Sequence, residues 1–106
     1  MKRLVISEDI RSAHTLPAAF YREEAWFDRS REAIFASTWQ YAADAAVIAE
    51  PGSYYPLTLL EGVLDEPLLL TRDGEGRAHC LSNVCTHRAK ILVEQPGRGR
   101  MLTCGY

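Results

Sequence analysis

Three potential metal ligands near the end of the sequence constrain the fold more than any other feature. Cys85 and His87 are separated by one residue, and sixteen residues separate His87 from Cys104. Residues i and i+2 of an extended segment share a face, so Cys85 and His87 can point to one site. Gly97 and Gly99 allow the tight turns that would bring Cys104 to the same place. The spacing therefore predicts two loops that meet at a metal centre.

The chemistry of these side chains narrows the choice of metal. Thiolates and a neutral imidazole are ligands that zinc, copper and the iron of a sulfur cluster accept. The three cysteines are an odd number clustered at positions 80, 85 and 104, which suits metal binding or free thiols better than a disulfide framework. The less specific interpretation of Cys85, His87 and Cys104 is two free thiols and a loop histidine. Cys80 is expected to be a small buried hydrophobic residue.

Composition excludes several classes of function. The chain has 106 residues, a formal net charge of -2 and a pI near 5.9, so no large basic surface is available to attract nucleic acid. No apolar run reaches the length of a signal-peptide core or of a membrane span. We therefore interpret the sequence as one small cytoplasmic domain, or part of one, with no nucleic-acid or membrane partner. Its other histidines, His14 and His79, are expected to face solvent.

The part of the chain before residue 40 has helical periodicity. Its bulky apolar residues Phe20, Phe27 and Ile34 recur seven residues apart, and charged residues lie between them. This pattern predicts one amphipathic helix that begins near Arg22 and packs Phe27 and Ile34 on the sheet or on a domain absent from this chain. The positions expected in the core are Trp26, Phe27, Ile34 and Trp39.

After residue 40 the apolar runs shorten to strand length and alternate with turn residues. The runs "YAADAAVIAE", "YYPLTLL" and "LLLTR" are predicted to be antiparallel strands. The segment "RDGEGRA" predicts a hairpin that joins residues 68–72 to residues 77–81, because Asp-Gly supplies the positive φ that such turns need. The fold class is therefore mainly β, with an N-terminal arm and helix (residues 1–39) and a small antiparallel sandwich or barrel (residues 40–106).

The ligand pattern and its surroundings resemble a known family. Cys-x-His, followed after this interval by a second cysteine, is similar to the pattern of Rieske [2Fe-2S] domains. The segments "REAIFASTWQYAADAAVIAEPGSYYPL", "EPLLLTRDGEGRAHCLSNVCTHRAK" and "LTCGY" resemble, in order and spacing, the N-terminal region of the α subunit of Rieske non-haem iron ring-hydroxylating oxygenases. The resemblance implies an incomplete Rieske-type β sandwich or barrel whose two loops bind the cluster at one end. It also implies that Cys85 and Cys104 are the thiolate pair and His87 is the first imidazole.

The sequence departs from the family pattern at two positions. Ala89 stands where the family usually has glycine after His-Arg. The second histidine of the pattern would follow Tyr106, so we expect the chain to be truncated before that ligand. A site with three ligands should lose iron or take up zinc, so the [2Fe-2S] cluster is expected only in the complete protein.

The resemblance implies an electron-transfer role. The cluster would take electrons from a ferredoxin or flavin reductase and pass them to a mononuclear iron in a C-terminal catalytic domain, which is absent from this chain. The family activity is that of an oxidoreductase, by mono- or dioxygenation that includes aromatic ring hydroxylation, and the family's oxygenases form trimers. Whether this chain alone is an enzyme stays open. The alternative is a zinc-stabilised structural or binding module with a Cys₃His site formed by Cys80, Cys85, His87 and Cys104.

Overall fold

The structure is a computed structural model in which residues 3–105 are described. The chain divides into two compact units, Met1–Trp39 and Gln40–Tyr106. Every α-helix of the described residues lies in the first unit, and every strand lies in the second. Each helix within residues 3–105 is too short or too polar to cross a membrane.

The first unit contains two short α-helices and a π-helix. Helix α1 spans Ala18–Arg22, helix α2 spans Glu24–Ser30, and the π-helix spans Arg31–Phe35. The break between α1 and α2 falls at Glu23, whose backbone is extended with φ -87° and ψ 126°. Helix α2 and the π-helix together form the one helix that was predicted to begin near Arg22, whereas α1 and the change to a π-helix were not predicted.

Local hydrogen bonds accompany the change from α-helix to π-helix after Ser30. Ser30 Oγ donates to the Trp26 carbonyl at 2.8 Å. A hydroxyl that bonds to the carbonyl four residues earlier often bends a helix and slightly destabilises it. The Ala36 N–H then donates to the Arg31 carbonyl at 2.9 Å, which is the wider turn of a π-helix. This wider turn interrupts the seven-residue spacing on which the amphipathic prediction depended.

The aromatic residues of α2 differ in burial. Trp26 is 8% exposed, its ring centroid lies 5.5 Å from that of Phe20, and the Arg29 guanidinium covers it at 5.8 Å. Phe27 stays 42% exposed beneath the Arg31 guanidinium. The prediction that Trp26 lies in the core is confirmed. The same prediction is wrong within this chain for three exposed residues, Phe27, Ile34 and Trp39.

The second unit contains one four-stranded antiparallel sheet. The strands are β1 (Ser53–Leu59), β2 (Glu66–Arg72), β3 (Ala78–Ser82) and β4 (Gly97–Arg98). Their order in the sheet is β3-β2-β1-β4, so β3 and β4 are the outer strands. Leu69 of β2 is 1% exposed and lies at the centre of the core. The prediction of a mainly β, antiparallel region is confirmed.

The segment "YAADAAVIAE" forms a 3-10 helix, Ala45–Ile48, and its prediction as a strand is wrong. Asp44 explains the difference, because its carboxylate accepts the Ala46 N–H at 2.8 Å and caps the helix. The helix packs against β1 and β2 and buries Ile48. The Arg72 side chain donates a hydrogen bond to the Ile48 carbonyl and ties the helix to the sheet.

The hairpin between β2 and β3 lies where the sequence predicted it. Its positive φ is at Gly76 (84°) rather than at the glycine of the Asp-Gly pair. Asp73 organises the turn, because one carboxylate oxygen accepts the Glu75 and Arg77 N–H groups, both at 2.9 Å. The other oxygen lies 2.9 Å from His79 Nε2. The hydrogen bond with His79, followed by that from the Arg77 N–H, holds the pKa of Asp73 well below its usual range.

The burial difference in α2 predicts unequal effects of two neighbouring substitutions. Trp26→Ala should lower the free energy of unfolding of the first unit by about 3–5 kcal/mol, because it removes a buried ring. Phe27→Ala should lower it by no more than about 1 kcal/mol. Urea denaturation followed by far-ultraviolet circular dichroism measures both, and Trp39→Ala is the control at an exposed position. Equal losses for Trp26→Ala and Phe27→Ala would contradict the structure.

The turn predicts a pH-dependent effect of Asp73→Asn. The variant keeps an acceptor oxygen but loses the charge. Because folding lowers the pKa of Asp73, its contribution is complete above the unfolded pKa and is lost as the pH falls through the folded pKa. The wild-type advantage in urea midpoint should therefore be constant above about pH 5 and shrink below about pH 4. Glu75→Gln, the same charge change on an exposed side chain of this turn, is the control and should show a much smaller dependence.

Candidate metal centre

The first ligand loop, residues 83–93, follows the outer strand β3. Val84 and Ile91 form an antiparallel bridge near its base. Above the bridge, the Cys85 N–H donates to the Lys90 carbonyl at 2.7 Å, and the Ala89 N–H donates to the Cys85 carbonyl at 2.8 Å. These short-range bonds close a tight turn that holds Cys85 at one side and presents His87 at its tip.

The second ligand loop, residues 99–105, follows the other outer strand, β4. Strand β4 is held by pairing with β1, and the Gly99 N–H donates to the Gly52 carbonyl at 2.9 Å. Gly97 lies against the ring of Tyr54, where a Cβ would come 2.5 Å from the hydroxyl oxygen. The second loop touches the first at Gly105, because a Cβ there would lie 2.5 Å from Lys90 Nζ. The two loops therefore leave opposite edges of the sheet and come together.

The structure brings together the three residues that the spacing predicted. The ligand atoms of Cys85, His87 and Cys104 all lie within 4.8 Å of one another. Cys85 Sγ is 3.2 Å from His87 Nδ1. His87 is exposed and the two cysteines are half-buried.

The other predicted cysteine and histidine positions lie elsewhere. Cys80 is outside the ligand group and is exposed, so the expectation that it is buried is wrong. The reason is that all five residues of the outer strand β3 are exposed. His14 is exposed as predicted. His79 is exposed as predicted, and its ring also bonds to Asp73 on the hairpin.

The surroundings of Cys85 favour its thiolate form. The hydrogen bond from the His87 imidazole is the main cause that lowers the pKa of the Cys85 thiol to about 6. The backbone N–H of His87 and the Cys104 side chain lower this pKa further, and partial burial opposes them. Since a thiolate is the form that binds metals, Cys85 is prepared as a ligand near neutral pH.

This set of donors fits an iron–sulfur cluster or zinc. Two sulfur atoms and one imidazole nitrogen are soft or borderline ligands, and carboxylates are absent from the described group. The geometry alone does not choose between the two metals.

Comparison with known families distinguishes an iron–sulfur cluster from zinc. The family model of the Rieske [2Fe-2S] domain matches residues 38–106, which include the whole sheet and both ligand loops. The chain belongs to the Rieske [2Fe-2S] domain family. Rieske clusters are held by thiolates and imidazoles together, which is the mixture of donors found here.

Relatives of this Rieske chain are oxygenases. Choline monooxygenase, chloroplastic, from Spinacia oleracea is 40% identical over 94 residues, covering 89% of this chain and 20% of that protein. An apo quaternary ammonium Rieske monooxygenase is 29% identical with a TM-score of 0.75, over 87% of this chain and 26% of that one. Naphthalene 1,2-dioxygenase from Rhodococcus sp., bound to indole, is 28% identical with a TM-score of 0.75. That match covers 87% of this chain and 20% of the dioxygenase chain. The chain thus spans about a fifth of the length of the curated relatives that it matches.

The structure explains the glycine that is usual in the Rieske pattern after His-Arg. Ala89 has φ 51°, which is the left-handed region that glycine adopts without steric cost. For an alanine this conformation costs about 1–2 kcal/mol. The first loop therefore carries local strain at Ala89, four residues after Cys85.

Ala89→Gly should relieve this strain. Glycine has more conformational freedom to lose on folding, so the net gain in the free energy of unfolding should be about 0.5–1 kcal/mol. Ala78→Gly is the matched control, because Ala78 is exposed and lies in a strand, where glycine should be destabilising by a similar amount. Urea denaturation of the second unit measures both. A loss of stability in Ala89→Gly would show that the loop does not hold the left-handed conformation.

Proposed function

We propose that this chain is the electron-transfer portion of an oxygenase, with Cys85, His87 and Cys104 as three of the ligands of its [2Fe-2S] cluster. The observation that carries this proposal is the convergence of the two ligand loops on one group of donor atoms. The Rieske family membership of residues 38–106 supplies the identity of the cofactor. Residues 1–39 are proposed to be a separate arm and helical unit.

The residues of the chain have distinct parts in this role. When bound, the cluster supplies one-electron redox chemistry. Cys85 and Cys104 provide two thiolates, and the lowered pKa of Cys85 makes its thiolate available near neutral pH. His87 provides an imidazole at an exposed position, where a partner protein can approach. The group contains a single imidazole, so we propose that the second comes from outside residues 3–105.

Electron partners are also part of the proposal. A ferredoxin or flavin reductase would reduce the cluster, and a mononuclear iron in a separate catalytic domain would receive the electron, within a trimer. Two facts support the separate catalytic domain and the separate electron donor. The chain corresponds to about a fifth of its relatives, and one of them is the oxygenase subunit of carnitine monooxygenase, a name that implies a further component.

For the complete oxygenase we propose a quaternary ammonium substrate. Relatives named as choline, carnitine and glycine betaine monooxygenases are 40%, 30% and 33% identical to this chain. Naphthalene dioxygenase, whose name indicates an aromatic substrate, is 28% identical. In the structural comparison, the quaternary ammonium monooxygenase (29%) and naphthalene dioxygenase (28%) are equally similar to this chain, so the proposal is supported by the 40% identity of choline monooxygenase.

The Cys₃His zinc alternative requires Cys80 as a ligand. Cys80 lies on the exposed outer strand and outside the ligand group, so the geometry of the described residues does not support this alternative. Cys80 is instead a matched control for the two grouped cysteines.

Reconstitution with iron and sulfide tests the cluster assignment. The chain is loaded anaerobically in the presence of imidazole, which can supply a missing fourth ligand. Bound iron, acid-labile sulfide and the EPR signal after reduction are then measured. Cys85→Ser and Cys104→Ser should abolish the signal, because each removes a thiolate, whereas Cys80→Ser should retain it.

Two results would contradict the assignment. An undiminished signal in Cys85→Ser or Cys104→Ser would remove that residue from the ligand set. Stoichiometric zinc binding that is lost in Cys80→Ser would favour the zinc module.

A further inference from the structure

Asn83 is the buried polar residue of the core in the described part of the chain, with 3% of its surface exposed. It lies between the end of β3 and Cys85, at the base of the first ligand loop. Burial of an amide is unfavourable unless its donor and acceptor are both hydrogen-bonded. Its contacts therefore show what the residue does.

The Asn83 side chain bonds to both backbone polar groups of Val93. Its Oδ1 accepts the Val93 N–H at 3.0 Å, and its Nδ2 donates to the Val93 carbonyl at 2.8 Å. The backbone of Asn83 is bonded as well, because its N–H donates to the Pro67 carbonyl at 2.9 Å and its carbonyl accepts the Leu92 N–H at 3.2 Å. One residue thus joins β2, the start of the first loop and the end of that loop.

These bonds begin a series that ends at a candidate ligand. Above the Asn83 bonds, Val84 pairs with Ile91, and the Cys85 N–H then donates to the Lys90 carbonyl. Each step fixes the two arms of the loop in one register. A slip at Val93 would therefore change the position of Cys85.

Asparagine has the donor and acceptor that this position needs. Leucine has a similar shape but neither group, so it would leave both polar groups of Val93 buried without partners. Aspartate keeps an acceptor for the N–H but sets a second oxygen against the Val93 carbonyl. These two substitutions separate the roles of the amide from the space that it fills.

We propose that Asn83 is a positioning residue for Cys85 and His87, and that its side-chain amide fixes the register of the first ligand loop before metal binds. This positioning role rests on the proposed function, which supplies the identity of the cofactor. The hydrogen bonds that arrange the loop do not depend on that identity.

The first arm of the test uses the metal-free 106-residue chain. Amide hydrogen exchange is measured by NMR for Asn83→Leu, Asn83→Asp and the control Leu69→Ala, which weakens the sheet at a buried position of strand β2. Exchange at Cys85 and Leu92, relative to amides of β1 and β2, should rise at least tenfold in the Asn83 variants. In Leu69→Ala the loop and strand amides should change together, as in any general loss of stability.

The second arm uses Co²⁺ as the probe, because its thiolate absorption reports binding to the cysteine site. The Asn83 variants should bind Co²⁺ about 10–100-fold more weakly, as expected when the support of a metal ligand is removed. Leu69→Ala, studied where it is folded, should stay within about twofold of the wild type. If Asn83→Leu does not fold, Asn83→Asp provides both measurements.

The outcomes separate this proposal from the proposed function. A wild-type exchange ratio, or a wild-type Co²⁺ affinity, in the folded Asn83 variants would overturn the positioning role. Failure of the wild-type chain to bind Co²⁺ would count against the metal-binding function, and the exchange ratio would still decide the role of Asn83 in the loop.

Discussion

Two loops attached to opposite edges of one sheet have to bring three donor atoms to one point. The strand order β3-β2-β1-β4 separates the outer strands by three strand spacings, or roughly 14 Å. Residues 99–104 of the second loop can extend over roughly 20 Å, which is enough to cross that distance. The sheet therefore sets the span between the loops, and the chain length after β4 allows Cys104 to reach Cys85 and His87.

The surroundings of each cysteine determine which sulfur atom can serve as a metal ligand. Cys80 and Cys85 are only five positions apart, yet Cys80 lies on an exposed outer strand and Cys85 lies in a turn. Hydrogen bonds from the imidazole and backbone N–H of His87 lower the pKa of the Cys85 thiol. Because these donors are part of the same turn, the loop that places the ligand also favours its ionised form.

The sequence was informative where the decisive interactions are local in the chain. The Cys-x-His spacing predicted that Cys85 and His87 share a site, since the turn around Cys85 is closed by bonds between near neighbours. The hairpin after β2 was predicted for the same reason, although Asp73 and Gly76 shape the turn rather than the Asp-Gly pair alone. Both features depend on fewer than ten consecutive residues.

The predictions failed where single polar side chains bond to the backbone. Ser30 bonds to the Trp26 carbonyl where the α-helix changes to a π-helix, and Asp44 caps a 3-10 helix in a run that was predicted to be a strand. Asn83 bonds to a residue ten positions away, and its burial gives no signal in hydrophobic periodicity. A search for polar residues beside the predicted ligands is the one sequence signal that could have found Asn83.

The small size of β4 has a consequence for the order in which the protein folds. Strands β1, β2 and β3 pair with their neighbours in sequence, whereas β4 pairs through two residues and joins Ser53 to Arg98. Closing so long a segment for so few hydrogen bonds carries a large entropic cost. We therefore expect the three-stranded meander to form first, and the second ligand loop to dock late and to open first in the native state. A metal bound by both loops would stabilise the docked second loop. Assembly of the metal site and completion of the fold would then occur together.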